Sequence, residues 1–66
     1  MKYYSCTFDE NLLYSDEDKE IVYNFYKGAK AICKLHKAIG CLEFRQNSEK
    51  EGVEPHCIEF FLTVSE

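Results

Sequence analysis

FDENLLYSDED, residues 8–18, decides how this chain is read, because it sets where the first strand stops and where the helix begins. Before it, Tyr4, Cys6 and Phe8 alternate with Tyr3, Ser5 and Thr7, the period-two pattern of a strand over Lys2 to Phe8. DENLLY, residues 9–14, breaks that alternation with two acids and two adjacent leucines. It reads as a connecting loop that tucks Leu12 and Leu13 against the core. SDED follows: Ser15 suits an N-cap, and Asp18 three residues on is placed to return the bond in a short-armed capping box.

From Asp16 to about Ile39 the apolar residues recur at helical spacing. At 100° per residue Ile21, Phe25, Ile32, Leu35 and Ile39 share one face, with Val22, Ala29 and His36 beside them. That face is expected to be buried, with Gly40 as a left-handed cap at the end. Gly28 costs a helix about 1 kcal/mol relative to Ala. A bulky neighbour packed close to it, Phe44 or Phe60, would explain its presence.

Two further strands follow. CLEFRQ, residues 41–46, alternates Leu42 and Phe44 with Glu43 and Arg45. QNSEKEGVEP, residues 46–55, is a polar hairpin connection holding the single Pro. CIEFFLTV, residues 57–64, is the most apolar strand, with Ile58, Phe60, Leu62 and Val64 expected toward the core and Cys57, Glu59, Phe61 and Thr63 away from it. The predicted fold is therefore α+β: a single β-α-β-β domain over residues 1–66, with a three-stranded sheet in the order 2-3-1 and one amphipathic helix on one face. Strands 2–8 and 41–46 run parallel through a right-handed crossover, and the apolar content of 57–64 places it between them. The other sheet face is expected to be open, presenting Tyr3, Glu43, Arg45, Glu59 and Phe61.

Size and composition narrow the function. Sixty-six residues with a formal charge of -4, 45% hydrophobic and 15% aromatic, describe one globular domain rather than a disordered chain. A domain this small commits most side chains to its own core, so a catalytic cleft is not expected. MKYYSCTFDE lacks the apolar run of a secretory signal, and no segment reaches the roughly 18 apolar residues of a membrane span. We expect a soluble, cytoplasmic chain with no membrane partner, and free thiols at Cys6, Cys33, Cys41 and Cys57.

Three constellations bear on chemistry. The helix carries Tyr23, Tyr26, Lys27, Lys30, Lys34 and Lys37 on one stripe, which would suit a phosphate backbone or another anionic ligand. Acids at the helix start and lysines at its end also complement the helix dipole, and the negative total charge opposes nucleic-acid binding. Cys33-x2-His36-x4-Cys41, with His56 and Cys57 further on, has zinc-ligand residue types. However, Cys41 and Cys57 open strands at opposite ends of the sheet, so neither metal nor cofactor is expected. Cys57 beside His56 is the one adjacent thiol–base pair, and neighbours on a strand point to opposite faces.

The acids remain. Asp9, Glu10, Asp16, Glu17 and Glu20 surround the loop and the helix start, with Glu49, Glu51 and Glu54 in the later connection. Charge complementarity with a basic protein surface is the natural use of such a patch. Small phage-encoded inhibitors of host defence, anti-CRISPR proteins among them, resemble this chain in size, charge and lack of motif. The sequence thus points to a non-enzymatic protein-binding module, an acidic inhibitor or regulator with a protein partner, forming a homodimer through a strand edge or the open sheet face. The alternatives are a binder of nucleic acid or anionic ligands through the Tyr/Lys stripe, and a small zinc or redox protein.

Overall fold

A computed structural model of the chain describes residues 3–47 and 55–64. It contains strands β1 (Tyr3–Phe8) and β2 (Asn11–Asp16), helix α1 (Lys19–His36), and strands β3 (Gly40–Asn47) and β4 (His56–Thr63). The fold is α+β, one helix on an antiparallel four-stranded sheet in the order β2-β1-β3-β4. Most of the connection expected over residues 46–55, including Glu49, Glu51 and Glu54, lies outside the described residues.

The fourth strand comes from the stretch that reads as a loop. Asp9 and Glu10 take positive φ angles of 48° and 68°, and Phe8 pairs with Asn11 across them. Two residues in this conformation make the tight turn whose twist matches the strands it joins. The chain then returns along β1. Its alternation is hidden because the register slips: Thr7 faces Leu12 and Cys6 faces Tyr14, leaving Leu13 as the extra residue of a bulge. Leu12 and Leu13 are both exposed instead of tucked into the core.

That extra hairpin changes the topology. With the chain already reversed once before the helix, α1 delivers β3 antiparallel to β1 and directly beside it. The crossover joins β2 to β3 and passes over β1. The parallel pairing expected between the first strand and 41–46 is thereby corrected. So is the central position of 57–64: β4 is an edge strand, and β1 and β3 form the centre.

The helix is shorter than its pattern suggests at both ends. Ser15 belongs to β2, and the N-cap is Asp18, whose Oδ1 accepts from the amides of Glu20 at 2.9 Å and Ile21 at 3.4 Å. The left-handed residue at the far end is Lys37, φ 53°, not Gly40. Its amide donates to the Lys34 carbonyl at 3.4 Å, and the Ala38 amide donates to Cys33 at 3.0 Å. Gly40 serves packing: a Cβ there would run into the Phe8 ring and come within 2.8 Å of Asp9 Oδ2.

The core also takes a different helix face from the one expected. Val22 and Tyr26 are fully buried and Cys33 nearly so, over Cys6, Leu42 and Phe44 of the two central strands. Ile21, Phe25, Ile32 and Leu35 stay exposed, Leu35 by 76%. His36 is exposed as well. Small side chains at 22, 29 and 33 let the helix sit close, and Tyr26 fills the remaining space against Phe44, with ring centroids 6.0 Å apart. Gly28 has no bulky neighbour among the described residues: none of them lies within 4 Å of where its Cβ would be.

The turn makes a direct prediction. Glu10 holds a left-handed conformation that costs an ordinary residue roughly 1 kcal/mol, and glycine adopts it freely. Glu10→Gly is expected to raise unfolding stability by up to about 1 kcal/mol in urea titrations. A loss of stability would mean that the Glu10 side chain, not the backbone, holds the hairpin.

Candidate interaction surfaces

The sheet face away from α1 carries Tyr3, Ser5 and Thr7 from β1, Cys41, Glu43, Arg45 and Asn47 from β3, and Phe60 and Leu62 from β4. Cross-strand partners share a face, and the register pairs Ser5 with Arg45, Thr7 with Glu43, Glu43 with Phe60 and Cys41 with Leu62. Its middle is polar and internally satisfied. Ser5 Oγ donates to Asn47 Oδ1 at 2.9 Å, and Thr7 Oγ1 to Glu43 Oε2 at 3.5 Å. Arg45 Nε donates to the same Glu43 oxygen at 2.6 Å, and the two side chains form an ion pair. Its β4 border is apolar and open, with Phe60 63% and Leu62 58% exposed. Ile39 and Val64 extend it next to the Gly40–Thr63 pair.

Glu59 and Phe61 are not on this face. Phe61 pairs with Leu42 and Glu59 with Phe44, so both lie under the helix flank and the alternation expected for 57–64 is inverted. The register slip between Phe44 and Arg45 breaks the strand's phase near Ile58. Because β4 is a rim strand, the helix shelters only one of its two rows, and the register gives that place to Glu59 and Phe61 rather than to Phe60 and Leu62. Of the five residues expected on the open face, Tyr3, Glu43 and Arg45 are there.

The acids form two groups rather than one patch. Asp9 and Glu10 occupy the β1–β2 turn, where they line a shallow hollow with Cys41 and Glu43. Glu10 and Glu43 also border a second hollow with Arg45, Pro55 and Cys57. Asp16 and Glu17 lie at the other end of β2 beside Tyr3, Leu12 and Ser15, and Glu20 begins the helix. A six-residue strand separates the groups by roughly 20 Å at 3.4 Å per residue. Two of these acids also have structural work. Asp9 Oδ1 accepts from the Cys41 amide at 2.8 Å, and Asp16 Oδ1 from the Asp18 amide at 2.8 Å.

The basic stripe is reduced in a similar way. Tyr26 is in the core, its hydroxyl buried without a hydrogen-bond partner among the described residues. Burial, and then the nearby Glu59 carboxylate, push its pKa up, yet Glu59 Oε1 takes its hydrogen bond from Tyr23 Oη at 3.4 Å. Lys27 Nζ sits 5.2 Å from the Tyr23 ring centroid, and Lys30 and Lys34 sit 5.3 and 5.4 Å from that of Phe61. These cations therefore cover aromatic faces beside β4. Lys37 stands apart as the helix cap.

All four cysteines are free. Burial first, and the neighbouring Cys33 second, push the Cys6 thiol up to about 11. Cys41 and Cys57 are also raised, by burial first and then by Glu43. None of these three is poised as a thiolate nucleophile. Among the described residues, no three His, Cys, Asp or Glu side chains are grouped to hold a metal ion, and no helix is long and apolar enough to cross a membrane. No family model, curated protein or solved structure gives a significant match to the chain.

The apolar surfaces, the β4 border and the outer helix flank, are what sequence reasoning misses. A signal for them exists. The helix carries two apolar rows, Ile21/Phe25/Ile32/Leu35 and Val22/Tyr26/Ala29/Cys33, and residues 58–64 add a third, Ile58/Phe60/Leu62/Val64, with Phe61 on the opposite side. One helix on one sheet cannot bury all of these.

Cys6 ties stability to pH. Its folded pKa of about 11 lies above its ordinary 9.0, so the folded chain resists a deprotonation that the unfolded chain undergoes. The stabilisation is complete below about pH 9 and is lost as the pH rises toward about 11. Urea midpoints are expected to fall across this window, less steeply in Cys6→Ala. An equal slope in that variant would show that Cys6 ionises as easily folded as unfolded.

Proposed function

We propose that this chain is a non-enzymatic protein-binding module, a small acidic inhibitor or regulator that docks on a basic surface of a larger protein. The observation that carries this reading is the open sheet face, where Phe60 and Leu62 stand exposed beside Glu43 and the turn acids Asp9 and Glu10 lie close by. Covering a large apolar side chain contributes about 1.5–3 kcal/mol. Acids at the border favour lysine- and arginine-bearing partners, mainly through association rate and specificity. Glu43 adds little net charge because Arg45 pairs with it, so among the described residues Glu10 carries most of the charge of this border. Its resemblance in size and charge to small inhibitors of host defence fits such a role.

A second reading, binding of an anionic ligand, rests on Lys27, Lys30 and Lys34 sharing the helix flank beside β4. Tyr26 does not contribute to it, because a buried ring offers no stacking surface.

Affinity capture from native host extract separates the two. The wild-type chain is expected to retain one protein partner, released as salt rises past the range where surface charges are screened. Phe60→Ser and Glu10→Lys should each weaken that capture about tenfold or more, while Lys30→Glu with Lys34→Glu leaves it intact. Capture lost only in the lysine variant, or nucleic acid as the retained species, would overturn the binding-module reading in favour of the second.

A further inference from the structure

We infer that the outer flank of α1 is covered by the same flank of a second copy of this chain, in an antiparallel helix pair centred on Gly28. The surface is separate from the sheet face just described. Its residues are Ile21, Phe25, Gly28, Ile32 and Leu35, spaced alternately four and three apart, the spacing of a helix–helix seam. The four side chains are exposed by 46, 39, 59 and 76%. Tyr14 of β2 stacks on Phe25 with ring centroids 5.0 Å apart, which sets this flank over the β2 edge, where Leu13, the bulge residue, is also exposed.

Gly28 is the first reason to choose a helix as the occupant. It lies mid-helix, where glycine disfavours the helix, and no described residue outside its own helix turn comes within 4 Å of its missing Cβ. No turn, positive φ or contact among the described residues accounts for it. A glycine in the middle of an apolar seam is what allows another backbone to come close.

Symmetry selects the second copy. Ile21 and Leu35 stand equally far from Gly28, and Phe25 and Ile32 three and four residues from it. An antiparallel two-fold pair therefore sets Ile21 against Leu35 of the second copy and Phe25 against its Ile32, the self-complementarity that a two-fold contact requires. Charge selects the direction. Glu17, Asp18 and Glu20 cluster at the helix start, and Lys34, His36 and Lys37 at its end. Antiparallel packing places each acidic end beside a basic end and opposes the two helix dipoles, whereas parallel packing would gather like charges. Area fits a pair that dissociates on dilution. At roughly 150–200 Å² for a large apolar side chain, the four helix residues with Leu13 expose on the order of 450 Å². That is about half of the roughly 800 Å² per partner of a standard interface, and the intervening backbone and side-chain stems lie in the same contact.

Sedimentation equilibrium of the purified chain from low to high micromolar concentration tests the proposal. The wild type is expected to be a dimer that dissociates on dilution, and Ile32→Glu with Leu35→Glu to be a monomer of unchanged helix content. Gly28→Leu gives the second readout. It improves helix propensity, so unfolding of the monomer moves to higher denaturant, while crowding at the crossing weakens dimerisation at least tenfold. A wild type that stays monomeric overturns the proposal, as does a Gly28→Leu variant that dimerises as tightly as wild type. A dimer that survives the two glutamates but dissolves with Phe60→Ser would place the second copy on the sheet face, and also overturns it. Failure of partner capture by the sheet-face variants leaves this result unaffected, because the two experiments change different surfaces.

Discussion

Phe44 governs how the two layers meet. It is almost completely buried in a central strand, with Tyr23, Tyr26 and Tyr4 around it at ring-centroid distances of 5.3, 6.0 and 6.1 Å. Aromatic rings at such distances gain directional energy beyond simple burial. The cluster rotates α1 so that Tyr26 points down, with the smaller Val22, Ala29 and Cys33 alongside. Once that rotation is set, Ile21, Phe25, Ile32 and Leu35 must look sideways past β2, and Lys27, Lys30 and Lys34 must lie over β4.

A second constraint is size. A chain this short cannot add another layer, so apolar rows that the single helix leaves uncovered stay on the surface. Contiguous exposed apolar residues are uncommon on a monomer that works alone. The described residues show two such regions, on different sides of the sheet: the outer flank of α1, and the β4 border of the open face. The polar middle of that face pairs its own groups through Ser5, Asn47, Thr7, Glu43 and Arg45. Its polar groups are matched within the face, whereas Phe60 and Leu62 at its margin stay uncovered.

One end of the sheet is unusually well tied. Asp9 exchanges bonds with the backbone of Cys41, and the Phe8 ring packs on Gly40. Thr63 Oγ1 accepts from the Gly40 amide at 2.9 Å and donates to the Ala38 carbonyl. The β1–β2 turn, the exit from the helix and the end of β4 are therefore one locked unit. It holds Asp9 and Glu10 at a defined position relative to Leu62 and Val64, so the acidic turn and the end of the apolar strand move as one.

Several features were legible in the sequence because they depend on neighbours along the chain. The strands over 3–8, 41–46 and 57–64, the long helix, its acidic start and basic end, and the α+β class all follow from local spacing and capping chemistry. The hairpin at Asp9–Glu10 was not legible. No glycine marks its left-handed turn, and the Leu13 bulge erases the alternation of β2. Losing that strand reversed the inferred centre and edges of the sheet, and with them the side on which Glu59 and Phe61 stand. The sequence also contains two apolar rows on one helix without ranking them. Only tertiary packing makes that choice, because it depends on which row fits the shape around Phe44 rather than on which is more hydrophobic.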